Sequence, residues 1–193
     1  MKKETKKQLL IGAALVLELL FLLLYLNGRI DRLLDSDMSS EMILGQLLAR
    51  NNGILSDQWY YSTELRVLNT QLIYALFFRL SSNWHFVRMA STLVLWCVLI
   101  ASYGVLCCVM GCKKSFGVTA LLLAAPVSES YFRFVLAGVY YVPHLAIAFA
   151  ALALNEGYFK AQTDRKKFWL VVSVLLALVA GLGGPREIIA LYA

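Results

Sequence analysis

Two carboxylates separated by one residue, Asp35 and Asp37, open the stretch DSDMSSEMILGQ, which follows closely on a long apolar segment. A carboxylate beside the hydrocarbon phase of a membrane is costly unless it faces water, a cation or a polar substrate. We therefore predict that this stretch forms the mouth of an active site on the outer side of a membrane. The alternative is structural: one carboxylate caps a helix and the other is solvated in a turn.

The lysines and the arginines are distributed differently along the chain. Lysines form small clusters between apolar runs, which is the pattern of cytoplasmic segments in membrane proteins. Every arginine except Arg165 falls in a segment predicted to lie outside the membrane or at its outer boundary. Arginine binds phosphate through two oxygens at once, although ion pairs with outer carboxylates and with lipid headgroups would account for most of these residues. The candidate phosphate ligands are Arg66, Arg133 and Arg186, and the other polar candidates in these segments are Glu41, His144 and Glu187.

The composition is that of an integral membrane protein. The chain has 193 residues, of which 60% are hydrophobic, and its mean hydropathy is +0.69, which is too apolar for a soluble domain. The formal net charge of +6 could suggest nucleic acid, but the lysines cluster at the ends of apolar runs rather than on one face. The four cysteines all lie within residues 97–112 and are predicted to pack as small apolar residues.

Hydropathy predicts an all-α polytopic protein with about five transmembrane helices in a single transmembrane domain. The spans are predicted at 8–27, 86–112, 116–155 (a hairpin of two spans) and 168–184, and residues 28–85 form an outer loop. The first apolar run of the hairpin is short for a full crossing. If it did not cross, however, the next span would place the basic cluster at 160–167 outside. We therefore expect the hairpin tip at 128–144 to lie outside and the N-terminus to be cytoplasmic.

Two amphipathic helices are predicted in the outer loop, at 38–50 and 62–80, with Asp37 or Ser39 as the N-cap of the first. Helices of this kind lie in the interface plane, with their apolar faces in lipid. The aromatic group at 59–61 between them is typical of the headgroup level. The apolar stripes are Ile43, Leu44, Leu47 and Leu48 in the first helix, and Leu65, Leu68, Leu72, Leu76 and Leu80 in the second.

Together these features resemble the start of a C-type (GT-C) integral-membrane glycosyltransferase. Members of that class begin with a cytoplasmic N-terminus and one span, followed by a large outer loop with an acidic motif and two interfacial helices. The matching residues here are Asp35-Ser36-Asp37 and the helices at 38–50 and 62–80. The stretch GILSDQWYYSTELRVLNTQLIYALF is also similar to uncharacterised bacterial polytopic membrane proteins of this class. The class usually has more spans than this chain supplies, so we expect the sequence to be the N-terminal part of a longer protein.

The resemblance implies an enzyme of the bacterial cell envelope, located in the plasma membrane. It would move a sugar from a polyprenyl-phosphate donor to a glycan, lipid or protein acceptor on the outer face. Such a transfer needs a base near the acceptor hydroxyl and a means of neutralising the leaving phosphate. Asp35 is the first choice for the base, because Asp37 is expected to cap a helix. Alternatively, Asp35 and Asp37 could hold a divalent cation such as Mg²⁺ or Mn²⁺, and an arginine could share the neutralisation.

Two other functions are open at this point. A transporter or flippase of lipid-linked saccharides would carry polar residues along several spans, and only Glu18, in the middle of the first span, is clearly of that kind. A non-enzymatic membrane assembly protein would leave the acidic pair and the outer arginines replaceable. None of these three functions is expected to involve a nucleic-acid partner.

Overall fold

The structure is a computed structural model that describes residues 2–61, 65 and 68–183. These residues form helices joined by turns, and no strand occurs among them. The helices are α1 Lys2–Asn27, α2 Ser36–Asn51, α3 Thr70–Phe78, α4 Trp84–Met110, α5 Phe116–Ala124, α6 Glu129–Tyr131, a π-helix Phe132–Ala137 that follows α6 directly, α7 Val142–Lys160 and α8 Thr163–Gly183. The all-α prediction is therefore confirmed for the described part of the chain.

Three helices are long and apolar enough to cross a membrane, namely α1 over Thr5–Asn27, α4 over Trp84–Met110 and α8 over Arg165–Gly183. A fourth candidate arises if α5 and the α6–π-helix unit, which are bent by 88° relative to each other, count as one broken span. Helix α7, with Pro143 and His144 in its first turn and Asn155 and Glu156 in its last part, is not among these candidates. The helices are those of an integral membrane protein, with three or four candidate spans where about five are predicted.

Contacts between helix termini show that the bundle has two distinct ends. At one end, His85 in the first turn of α4 meets the end of α1: its Nδ1 lies 2.9 Å from Asp31 Oδ2 and its Nε2 lies 3.1 Å from Asn27 Oδ1. At the other end, the Lys160 ammonium at the end of α7 donates to the Val109 carbonyl of α4 over 2.9 Å. We call these the loop end and the lysine end. Helices α4 and α7 therefore run in the same direction, opposite to α1.

The outer-loop helix α3 turns Leu76 outward and its polar residues inward. Leu72, like Leu44 and Leu48 of α2, belongs to a predicted lipid-facing stripe but packs between α2 and α3 instead. Leu76 is 52% exposed and Leu80, just past the helix end, is 72% exposed, as expected of a helix that lies against lipid. The helix is shorter than predicted because Asn69 caps it, accepting the Thr70 N–H at 2.7 Å. Residues 62–64 and 66–67 lie outside the described residues. The buried residues of α3 are Thr70, Gln71, Tyr74 and Ala75.

Two apolar clusters fix the elements of the loop end to one another. The main core packs α1, α4 and the hairpin together through residues such as Leu26, Trp96 and Val139, all buried. A smaller cluster of Met42, Tyr74 and Val87 joins α2, α3 and α4. Both the first half of α2 and the hairpin turn are therefore held against α4.

The separation of the two ends leads to a topology prediction. Single cysteines introduced at Asp35 and Tyr60, in a background without the four native cysteines, should react with an impermeant thiol reagent on intact cells. Those introduced at Lys114 and Lys166 should react only after permeabilisation, because lysine-rich ends stay in the cytoplasm. The comparison of intact with permeabilised cells supplies the control. Labelling of position 166 on intact cells would contradict a hairpin that crosses the membrane.

Candidate functional site

Asp35 is the N-cap of α2. Its Oδ1 accepts the Met38 N–H at 2.9 Å, and the Ser39 hydroxyl donates to its carbonyl at 2.6 Å. The prediction that Asp37 or Ser39 caps this helix is therefore wrong. All three residue types cap well, and the extended backbone at Asp35 (φ −107°, ψ −178°) decides the position. Asp35 is half-buried, and its second carboxylate oxygen makes no hydrogen bond to the described residues, whereas Asp37 is exposed in the first turn.

Further along α2, Glu41 is buried against α3. Its carboxylate accepts a hydrogen bond from the Thr70 hydroxyl, which is itself fully buried. Tyr74 lies beside this pair, and its burial raises the pKa of the phenol. The negative charges of Glu41 and Asp35 raise that pKa further, while the positive charge of Arg88 opposes them. Tyr74 is therefore protonated at neutral pH and can donate a hydrogen bond within this group of charges.

Arg88 lies near the start of α4 and is only 2% exposed. Its Nη2 donates to the Met38 thioether sulfur at 2.8 Å, and its Nη1 has no hydrogen-bond partner in the described part of the chain. Arg88 is not among the phosphate ligands predicted from the sequence. An arginine near the end of a span usually extends its head group to the interface. The signal that could have found it is its position inside an apolar helix.

The hairpin tip has an uncommon backbone conformation. After the π-helix, Val139 adopts φ +55°, a strained conformation for a β-branched residue. Such strain and π-helical turns concentrate at functional sites. Tertiary contacts hold the tip in place: the Trp96 Nε1–H donates to the Leu136 carbonyl at 2.9 Å, and Val139 is completely buried. The tip is therefore a rigid element built against α4.

Aromatic rings gather at this tip. The ring centroids of Tyr140 and Tyr141 are 4.9 Å apart, and that of Phe134 lies 5.6 Å from Tyr140. Burial raises the pKa of Tyr140 to about 12, with contributions from the negative charges of Asp35, Tyr141, Asp37 and Glu41. The Tyr140 hydroxyl consequently remains protonated at neutral pH, beside the carboxylates.

The remaining predicted site residues are placed less centrally. His144 is half-buried in the first turn of α7, with its ring 5.7 Å from that of Tyr141. Arg133 is exposed on the π-helix. Arg66, Arg186 and Glu187 lie outside the described residues. The structure thus places Asp35, Asp37 and Glu41 on or at the start of α2, where Met38 lies against the hairpin turn at Gly138, and it leaves Arg133 exposed on the π-helix.

The residues that fit a divalent cation are Asp35 and Asp37. Within the described ranges, no group of three or more His, Cys, Asp or Glu side chains is arranged to hold a metal ion. Mg²⁺ is often held by only one or two carboxylates together with the phosphates of its substrate. The unbonded oxygen of Asp35 and the exposed carboxylate of Asp37 could serve in that way, and a cation here stays a prediction.

A cavity of about 400 Å³ lies away from these residues, between α4, α7 and α8 and towards the lysine end. Its walls are apolar throughout and include Val109, Leu154 and Trp169. It suits hydrocarbon and offers no group that could take part in chemistry, so the candidate site is the loop-end group around Asp35.

No protein-family model, curated protein or solved structure matches this chain.

Proposed function

We propose that this protein is a membrane glycosyltransferase of the GT-C type, which moves a sugar from a polyprenyl-phosphate donor to an acceptor on the outer face of the bacterial plasma membrane. The observation that carries the proposal is the surroundings of Asp35. This half-buried carboxylate, with one oxygen uncommitted, interacts electrostatically with the buried Arg88 and with the aromatic hairpin tip at Tyr140. A base, a cation and a ring-binding surface are the groups that such a transfer requires.

In the proposed reaction, the acceptor hydroxyl oxygen attacks the anomeric carbon of the donor sugar. The new bond forms between these two atoms while the bond from the anomeric carbon to the phosphate oxygen breaks. Asp35 takes the proton of the acceptor hydroxyl, and polyprenyl phosphate leaves with the bonding electrons. An arginine neutralises the charge that develops on the phosphate. Asp35 and Asp37 are the residues that would hold a divalent cation, which would supply the same neutralisation.

The hairpin tip suits the sugar. The tyrosine rings combine apolar faces with polar hydroxyl groups, and a pyranose or furanose ring likewise has apolar faces and polar edges. Because Met38, three residues after Asp35, and Tyr140 both lie against the hairpin turn at Gly138, a ring held against Tyr140 and Tyr141 would lie near the base. The proposal includes five crossings, a cytoplasmic N-terminus and an outward-facing loop end, which would bring the site to the outer surface.

The distribution of buried polar groups favours a transferase over a transporter. A transport path needs polar residues along the length of several spans. Among the described residues, the buried polar and charged side chains all fall between residues 41 and 92, in α2, α3, their connection and the first part of α4. Glu18, in the middle of α1, is half-buried, and its Oε2 has no partner among the described residues. The polar groups therefore form one compact site at one end.

The test is a transfer assay with membranes that contain the protein expressed from its complete gene. A panel of polyprenyl-phosphate hexoses and pentoses, labelled in the sugar, should release unlabelled polyprenyl phosphate and pass the label to an acceptor fraction. Membranes without the protein are the control. Movement of the intact lipid-linked saccharide across proteoliposomes, with no cleavage of the sugar–phosphate bond, would contradict the proposal and favour a flippase.

A further inference from the structure

Arg88 is a buried guanidinium whose hydrogen-bonding capacity is only partly used by the described residues. Its side chain is 98% buried, given an exposure of 2%, and it lies in a helix that is apolar enough to span a membrane. Within the described residues it takes part in no ion pair, and Nη1 lacks any hydrogen-bond partner. A buried, unpaired guanidinium in a membrane helix is costly and is a functional candidate by default.

Two further hydrogen-bond donors lie on the same helix as Arg88 and also lack partners among the described residues. Ser91 and Thr92 follow Arg88 at the i+3 and i+4 positions and therefore share its face of α4. Both side chains are fully buried, and neither hydroxyl oxygen has a hydrogen-bond partner among the described residues. One buried face of α4 thus offers a guanidinium and two hydroxyl groups without matching acceptors.

The acceptor that Arg88 has among the described residues is a weak one. Nη2 donates to the Met38 thioether sulfur, and a thioether accepts hydrogen bonds poorly compared with a charged oxygen. The end of the Met38 side chain also lies against the hairpin turn, since a Cβ added at Gly138 would come within 2.7 Å of Met38 Cε. Methionine is flexible, so this side chain can move aside and expose the guanidinium.

We infer that Arg88, with Ser91 and Thr92, forms an oxyanion site for a lipid phosphate, and that Met38 covers this site when no lipid is bound. This inference rests on the proposed function and deepens it, because it assigns the donor phosphate to α4 rather than to the exposed Arg133. A phosphate supplies the paired oxygens that match the planar fork of arginine. Its remaining oxygens would accept from the two hydroxyl groups. The phosphate could belong to a polyprenyl phosphate or to a phospholipid headgroup.

Binding to the purified full chain in detergent tests the inference, with polyprenyl phosphate, polyprenol without phosphate, and phosphatidylglycerol as probes. Polyprenyl phosphate should bind and raise the melting temperature, whereas polyprenol should not. Arg88→Gln should weaken polyprenyl phosphate binding by at least about 30-fold, as expected for the loss of one buried, hydrogen-bonded charge. Arg32→Gln, which removes the same charge from an exposed position at the loop end, is the matched control and should bind as the wild type does.

Met38→Leu supplies a second measurement that leaves Arg88 in place. Leucine nearly conserves the volume but cannot accept a hydrogen bond, so the phosphate no longer competes with an internal acceptor. We expect polyprenyl phosphate to bind about two- to tenfold more tightly. This variant, together with Arg88→Lys, keeps the inference testable if Arg88→Gln fails to fold.

The outcomes separate the inference from the proposed function. If folded Arg88→Gln binds polyprenyl phosphate as tightly as the wild type, the site is wrong and the transferase proposal stands. If phosphatidylglycerol binds as well as polyprenyl phosphate, and through Arg88, the oxyanion site is correct but serves a phospholipid headgroup. The inference is overturned if no phosphate lipid binds the wild type. It is also overturned if neither Met38→Leu nor Arg88→Gln changes the affinity for polyprenyl phosphate.

Discussion

Asp35→Asn should lower sugar transfer by about 10²–10⁴-fold, the usual cost of losing general-base catalysis, while leaving thermal stability unchanged. Asparagine keeps the side-chain oxygen that accepts the Met38 N–H at 2.9 Å, and it caps helices about as well as aspartate does. The substitution therefore removes the charge alone. Transfer rates in membranes and melting temperatures in detergent measure the two effects separately.

Asp37→Asn is the matched control, because it removes the same charge two residues on, from an exposed position in the first turn of α2. With an arginine neutralising the phosphate, it should transfer sugar at close to the wild-type rate and lose only about a few tenths of a kcal/mol from the helix-dipole interaction. A loss of transfer as large as that of Asp35→Asn would instead assign the pair to a divalent cation. Asp35→Ala, in contrast, should also lose the cap, at about 1 kcal/mol of stability. An inactive Asp37→Asn with an active Asp35→Asn would assign the base to Asp37. Normal transfer by both variants would show that Asp35 serves only as a helix cap and Asp37 only as a solvated residue.

The spans were predictable because long apolar runs have few alternatives. Hydropathy alone locates α1, α4 and α8, since a helix satisfies its own backbone hydrogen bonds in lipid. The cap of α2 was not predictable in the same way. Asp35, Asp37 and Ser39 are all good caps within five residues, and the choice depends on where the chain turns after α1, which is a tertiary property.

The backbone of the hairpin tip and the surroundings of Arg88 depend on tertiary packing, as the cap of α2 does. Valine disfavours the left-handed backbone that Val139 adopts, so local propensity points away from the observed turn. The packing of the tip against Trp96 and the α1 core overrides that propensity. Likewise, the burial of Arg88 exists only because α2 lies over it and places Met38 on the guanidinium.

Gly45→Ala should destabilise the protein and impair transfer, because the backbones of α2 and α3 cross closely at this glycine. A Cβ at position 45 would lie 2.6 Å from Tyr74 Cβ, 3.1 Å from the Gln71 carbonyl oxygen and 3.2 Å from the Ala75 nitrogen. The first distance is shorter than two such atoms can approach, and the other two involve backbone, so no change of rotamer relieves them. The two helices must move apart, at a cost of about 1–3 kcal/mol that offsets the roughly 1 kcal/mol alanine gains in helix propensity.

Moving α2 and α3 apart would directly change the geometry of the candidate site. Glu41 lies one turn before Gly45 on α2, and its hydrogen bond to Thr70 spans the same interface. Separation of the helices shifts Asp35 and Glu41 relative to Tyr74 and Arg88, and a misplacement of about 1 Å can cost about 10²-fold in rate. Gly12→Ala is the matched control: nothing lies within 4 Å of a Cβ there, so the same substitution in helix α1 should be neutral or stabilising. Gly45→Ala should lower both the melting temperature and the transfer rate. Gly12→Ala should leave the transfer rate unchanged and should leave the melting temperature unchanged or raise it. An equally stable and active Gly45→Ala would show that the α2–α3 crossing does not position the site.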